Sequence, residues 1–169
     1  MAVAHCEGDQ VLLDCVRERK PRFVPTAVVA EFAEVLSRYG VHEVFGDRVG
    51  GGFHADEWAR NRGAFRPSPN DTSENYLRAL PMLLAGRARL LDNVTLRQQL
   101  SSLERHVLAG REVVKHPQLA SAHDDVATAV CGALVMAVRL QVQEVPIVAP
   151  VIHNGSFPWN IRDEWSPNW

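Results

Sequence analysis

The chain has 169 residues, enough for one domain with a sizeable core, and its 46% hydrophobic and 22% charged residues are ordinary for a globular protein. A net charge of −2 gives no global attraction for nucleic acid, so such a partner needs a local basic face. Three cysteines without CxxC spacing argue against a disulfide scaffold or zinc site and fit a reducing cytosol, and no apolar run approaches the roughly 20 residues of a membrane span.

MAVAHC and QVLLDCVRE read as strands separated by the turn signal EGD, which predicts an antiparallel hairpin over residues 1 to 17. KPRFVP is a linker, because each proline disfavours helix in the residue before it. TAVVAEFAEVLSRYG carries Val28, Val29, Phe32, Val35, Leu36 and Tyr39 at helical spacing, with Thr26 as a candidate N-cap and Gly40 as the stop. VHEVFGD is a short buried strand ending at Asp47, and the strand-helix-strand order implies a crossover and a partly parallel sheet.

RVGGGFHADEWARNRG reads as a glycine-rich loop and a short helix closing at Gly63, followed by the brief edge strand AFRPSP. NDTSENYLRALPMLLAG is a helix with Asp71 or Thr72 near its cap and a kink or break expected at Pro81. RARLLD is another short strand. NVTLRQQLSSLERHVLAG is an amphipathic helix with Leu96, Leu100, Leu103 and Val107 on one face. SAHDDVATAVCGALVMAV opens a helix that runs to about Gln143. Residues 1–143 form the predicted domain; 144–169 are an irregular tail in which Trp159, Trp165 and Trp169 are candidate interface anchors.

The chemistry concentrates in carboxylates. Asp124 and Asp125 stand side by side behind His123, immediately before small apolar residues that must be buried. One aspartate as N-cap and the next in the first turn would account for the pair without any chemistry. Asp47 ends a strand before the Gly50-Gly51-Gly52 loop, and strand ends and helix starts are natural site positions in α/β folds. If the three acids converge they repel one another unless a divalent cation shares the field, and Mg²⁺ suits oxygen ligands. Arg17, Arg19, Lys20 and Arg22, and again Arg60, Arg62 and Arg66, form basic clusters able to meet phosphate.

VLLDCVRERKPRFVP, EFAEVLSRYGV, GDR, YLRALPMLLAGRARLLDN, LRQQLSSLERHVLAGREVVKHP and HDDVATAVCGALV follow one another in the order found in phage terminase large subunits. The chain resembles their C-terminal nuclease domain over about residues 1 to 140. The resemblance implies an α/β fold, an RNase H-like (RuvC-like) mixed sheet flanked by helices, and a metal-dependent endonuclease that cuts concatemeric double-stranded DNA during genome packaging. It implies Asp47, Asp124 and Asp125 as catalytic metal ligands for Mg²⁺ or Mn²⁺ in a two-metal site, with His123 and Arg48 as accessory residues. It implies double-stranded DNA as the substrate, and a terminase small subunit, a portal or an ATPase motor domain as partners, in the host cytoplasm.

The match opens at the family's second strand. Nothing corresponds to the aspartate of the family's first strand, and no GxxxxGK[ST] phosphate loop of the motor is present. The resemblance therefore carries an alternative: a catalytically impaired remnant that binds DNA or packaging subunits.

Overall fold

A computed structural model describes residues 1–47, 52–108, 110–117 and 123–144. The predicted tail, the glycines at 50 and 51, and Arg48 lie outside them. The first two strands, β1 (Ala2–Glu7) and β2 (Gln10–Val16), form the expected antiparallel hairpin, turned at Gly8 with φ +60°. Side chains alternate along β1, and a register shift between Val3 and Ala4, opposite the unpaired Asp14, turns Cys15 to the face opposite Leu13. Val3 and Cys15 enter one core; Val11 and Leu13, with Ala2, Ala4 and Cys6, enter the other. The hairpin is thus apolar on both faces and must be covered on both.

Helix α1 (Pro25–Arg38) covers the first face, burying Val29 and Leu36. It starts two residues earlier than Thr26 as N-cap would allow. Val24 is the N-cap, without a side-chain cap bond, and Pro25 occupies the first turn, where its fixed φ suits a helix and its missing N–H costs nothing. Gly40, at φ +67°, closes it as expected. Strand β3 (Glu43–Gly46) follows, then helix α2 (Gly52–Arg60) and strand β4 (Ala64–Pro67). β3 was expected as a parallel strand continuing the hairpin sheet. Instead it pairs in parallel with β4 in a separate ladder, joined to the hairpin through the core of Val3, Val29, Leu36, Trp58, Val44 and Phe65. The parallel strand on the hairpin is β5 (Ala88–Arg89), beside β2, so the order β1-β2-β5 is a mixed sheet.

Helix α3 (Thr72–Leu84) carries a complete capping box: Asp71 accepts from the Glu74 amide, and the Glu74 carboxylate accepts from the Asp71 amide. The helix passes through Pro81 without ending there. Pro81 falls in the last turn, on an exposed position, while Tyr76 and Ala79 are buried in the core shared with α5. Helix α4 (Val94–Ser102) is shorter than expected. The Leu96 and Leu100 spacing does mark its buried face, but Glu104–Leu108 is strand β6, paired with β7 (Arg111–Lys115) around Gly110 at φ +78°. Helix α5 (Asp125–Glu144) lies across the second face of the hairpin, with Val126, Ala127, Val130, Cys131 and Leu134 essentially inaccessible.

Candidate active site

The start of α5 is held from two directions. Its first turn presents amides without intrahelical partners. One of them, the Ala127 N–H, donates to Oε1 of Gln99, a buried side chain reaching across from α4, at 2.9 Å. The Asp124 carbonyl accepts the first intrahelical bond, from the Thr128 amide, at 2.8 Å. The Asp124 carboxylate is not spent on capping. Its Oδ2 accepts from the Tyr76 hydroxyl at 2.9 Å, and the same hydroxyl bonds Thr128 Oγ1 at 2.7 Å.

The Tyr76 ring is buried in the α3–α5 interface, and burial first, then the Asp124 carboxylate, pushes its phenol well above the ordinary range. The single Tyr76 O–H donates to Asp124, so the bond with Thr128 takes its proton from the threonine hydroxyl. Asp124 is half-buried, Asp125 and His123 are exposed, and Val126 and Ala127 are buried. Consecutive helical side chains project about 100° apart, so one acid turns toward Tyr76 and its neighbour toward solvent. Sequence reasoning missed Tyr76, Thr128 and Gln99. A tyrosine beside a polar Asn75 on the buried face of α3 was the one available signal.

Asp125 and His123 line a cleft of about 1060 Å³, together with Met1, Arg17, Lys20 and Phe32. The cleft is walled by α1 on one side and by α4 and the start of α5 on the other, so it passes the end of β1 from one face of the hairpin to the other. Burial lowers the Met1 amine, while Cys15, Glu18 and Asp125 pull it back up, which places Asp125 within electrostatic reach of that strand end.

Asp47 stands exposed immediately after β3. Two features fix the end of that strand. Gly46 lies against the Phe65 ring, so closely that a Cβ there would meet the ring at 2.7 Å, and the Ser68 amide donates to the Gly46 carbonyl at 2.7 Å. Of the three acids, the structure brings Asp124 and Asp125 together at the α5 start beside His123, and puts Asp47 on the other ladder. Among the described residues, no three His, Cys, Asp or Glu side chains gather closely enough to hold a metal ion. Arg48 lies outside those residues. In the second basic cluster, Arg60 is paired with Glu57 and Arg66 with Glu43, so two of its cations are internally neutralised.

Comparison with solved structures identifies this arrangement of helices and ladders. The chain superposes on the large terminase nuclease from thermophilic phage G20c with bound cobalt at a TM-score of 0.60, with 20% identity, covering 79% of this chain and 81% of that one. A second structure of the G20c large terminase nuclease gives a TM-score of 0.60 at 18% identity, covering 78% and 81%. The chain has the terminase nuclease fold. It is the α/β, RNase H-like architecture expected from the ordered sequence fragments. No protein-family model and no curated protein matches the chain. Within the terminase nuclease fold, the α5 start with its two acids and the β3 end with its single acid are the carboxylate-bearing positions that the sequence singled out.

Proposed function

We propose that the chain is a phage terminase-type nuclease domain, a metal-dependent endonuclease acting on concatemeric double-stranded DNA during genome packaging. The observation that carries this reading is the treatment of Asp124. A plain helix cap would spend its carboxylate on first-turn amides. Here Gln99 takes the Ala127 amide, and Asp124 is oriented by a buried tyrosine instead. Second-layer hydrogen bonds of this kind fix the direction of metal-ligating carboxylates.

In donor type, the acids suit a hard divalent cation. All three acids offer oxygen donors, Asp124 keeps one carboxylate oxygen without a partner among the described residues, and Asp125 faces an open cleft. Asp47, Asp124 and Asp125 would hold Mg²⁺ or Mn²⁺, with His123 and Arg48 accessory. The G20c nuclease has been solved with bound cobalt. When bound, such ions lower the pKa of water and stabilise charge on a cleaved phosphodiester. The chain's own part is to orient Asp124 through Tyr76, to present Asp125 to the cleft, and to bind the phosphate backbone. No helix among the described residues is long and apolar enough to cross a membrane. A terminase small subunit, a portal and an ATPase motor are the partners this reading entails, and the host cytoplasm its place of action.

A second reading, a fold-retaining module that binds DNA or packaging subunits without cutting, is favoured by one observation: no triad of metal-ligating side chains gathers among the described residues. Plasmid nicking with Mn²⁺ separates the two. The nuclease reading expects metal-dependent nicking that Asp47→Ala and the double change Asp124→Ala/Asp125→Ala abolish. A folded chain that binds DNA and stays inert with Mn²⁺ supports the second reading. Cleavage that survives Asp47→Ala places the chemistry elsewhere.

A further inference from the structure

The linker between β2 and α1 has no part in the core. Residues 17 to 24 are all exposed, and Arg17-Glu18-Arg19-Lys20-Pro21-Arg22 holds four cations against one acid in a chain whose net charge is −2. The cations divide by what they do. Arg19 is anchored, its Nε donating to Glu31 at 2.8 Å and its Nη2 lying 2.6 Å from the same carboxylate. That pair pins the linker to α1. Arg17 donates only to the adjacent Val16 carbonyl, at 3.2 Å. Lys20 and Arg22 have no ion-pair or hydrogen-bond partner among the described residues.

Unpaired surface cations are common, and their charge alone says little. Their position says more. Lys20 lines the cleft that holds Asp125 and His123, and it lines an adjoining cavity of about 630 Å³ that continues over α1 past Arg22, Phe23 and Glu31. The two hollows share Glu18, Arg19, Lys20, Phe23 and Val28, so they adjoin along the linker, and we treat them as one trough with the linker as its rim. The trough begins at the candidate site: the Met1 amine donates to the Arg17 carbonyl at 2.9 Å and feels the Asp125 charge. Phe23, 48% exposed, adds an apolar face beside the cations.

A polyanion with evenly spaced charges suits this layout. One phosphate reaching Asp125 needs a cation between them; the following phosphates leave that point along Lys20 and Arg22. We infer that Lys20 and Arg22 are the phosphate clamp of this site, positioning a nucleic-acid backbone along the trough so that one phosphodiester reaches Asp125. The inference rests on the nuclease reading for its chemistry but makes a separate claim, about binding. Phosphate contacts fix register and carry no sequence information, so the clamp acts on any sequence.

The test is binding of the full chain to a labelled duplex of about 20 base pairs in EDTA, where no metal supports cleavage, by fluorescence anisotropy between about 50 and 200 mM salt. Each lost phosphate contact lowers the slope of log K against log salt by about 0.9. Lys20→Ala/Arg22→Ala should therefore flatten the slope by nearly two. Wild type then loses about tenfold more affinity over that salt range than the variant does. Lys20→Arg/Arg22→Lys should keep the slope. Arg78→Ala/Arg139→Ala, which removes the same charge from exposed positions on α3 and α5, should keep it too. Three results overturn the clamp: no binding by wild type at the lowest salt, an unchanged slope in Lys20→Ala/Arg22→Ala, or an equal loss in Arg78→Ala/Arg139→Ala. Failure of the nuclease reading looks different. The clamp then shows its slope change while Mn²⁺ gives no cleavage. Cleavage with an unchanged slope leaves the nuclease standing and removes the clamp.

Discussion

Tyr76→Phe isolates the contact that orients Asp124. The substitution keeps the buried ring, so it opens no cavity, and removes one hydroxyl that bonds Asp124 Oδ2 at 2.9 Å and Thr128 Oγ1 at 2.7 Å. A hydrogen bond to a charged acceptor contributes about 1.5–3 kcal/mol when fully buried. Asp124 and Thr128 are only half-buried, so water replaces part of what is lost, and we expect a cost of about 1–2 kcal/mol. With an m-value of about 2 kcal/mol per molar urea, the midpoint moves down by about 0.5–1 M. Tyr76→Ala, which also empties the ring's place in the core, should cost about 3–5 kcal/mol. Urea unfolding followed by tryptophan fluorescence measures all of these. The double change Tyr76→Phe/Asp124→Ala should cost less than the sum of the single changes, because both remove the same bond. If Asp124 ligates metal, Tyr76→Phe should also weaken Mn²⁺ binding about 10- to 100-fold in calorimetry. A wild-type midpoint for Tyr76→Phe, with additive energies in the double variant, would refute the claim that this hydroxyl holds Asp124.

Gly46→Ala places a Cβ 2.7 Å from the Phe65 ring, which is itself stacked on His54, so thermal melts should show a loss of about 1–3 kcal/mol that Phe65→Leu largely restores. His5 bonds Asp14 at 2.7 Å and Glu7 at 3.2 Å, and these bonds raise its pKa above 6.5. Its stabilisation is complete below that value and fades as pH rises through the raised one, and Asp14→Asn should move the ring's NMR titration back down. Burial pushes the Cys131 thiol up to about 12, so Ellman's reagent at mildly alkaline pH should spare it in the native state and react first at the partly exposed Cys6; equal rates would mean that α5 opens readily.

The hairpin was legible because its alternation is local and its turn residues adjoin it. The α3 cap was legible because Asp71 and Glu74 satisfy each other within one turn. What failed was pairing between distant segments. β3 was recognised as a strand, but its partner β4 lies across α2, and nothing in either tetrapeptide specifies the other. The β6–β7 hairpin failed for another reason. Leu103 and Val107 continue the helical spacing of Leu96 and Leu100, yet Glu104–Leu108 is exposed throughout, so it buries no stripe of either period for a pattern to reveal. Only Ala-Gly-Arg, with Gly110 at positive φ, marked the turn. At the site, the acids could be picked out by type and by position at element ends. Their holders could not, because the Tyr76–Asp124 bond spans 48 residues and the Gln99–Ala127 bond spans 28.

Those two long-range bonds answer why adjacent carboxylates stand before a buried helix. A helix start needs acceptors for its first amides, and an aspartate is the usual supplier. If Asp124 met that need, its oxygens would be committed to the backbone, and the pair would be structural. Gln99 meets it from another helix, at the cost of burying an amide side chain that is itself satisfied by the bond it makes. Asp124 is then free to be aimed by Tyr76, and Asp125, about 100° further round, faces the cleft. The repulsion between the two charges is also eased, since one is bonded to a hydroxyl and the other is bathed in solvent of high dielectric. It follows that loss of Asp125, fully outside the core, should leave the fold nearly as stable as before, whereas loss of Gln99 strands a buried amide and should loosen the helix start that carries both acids.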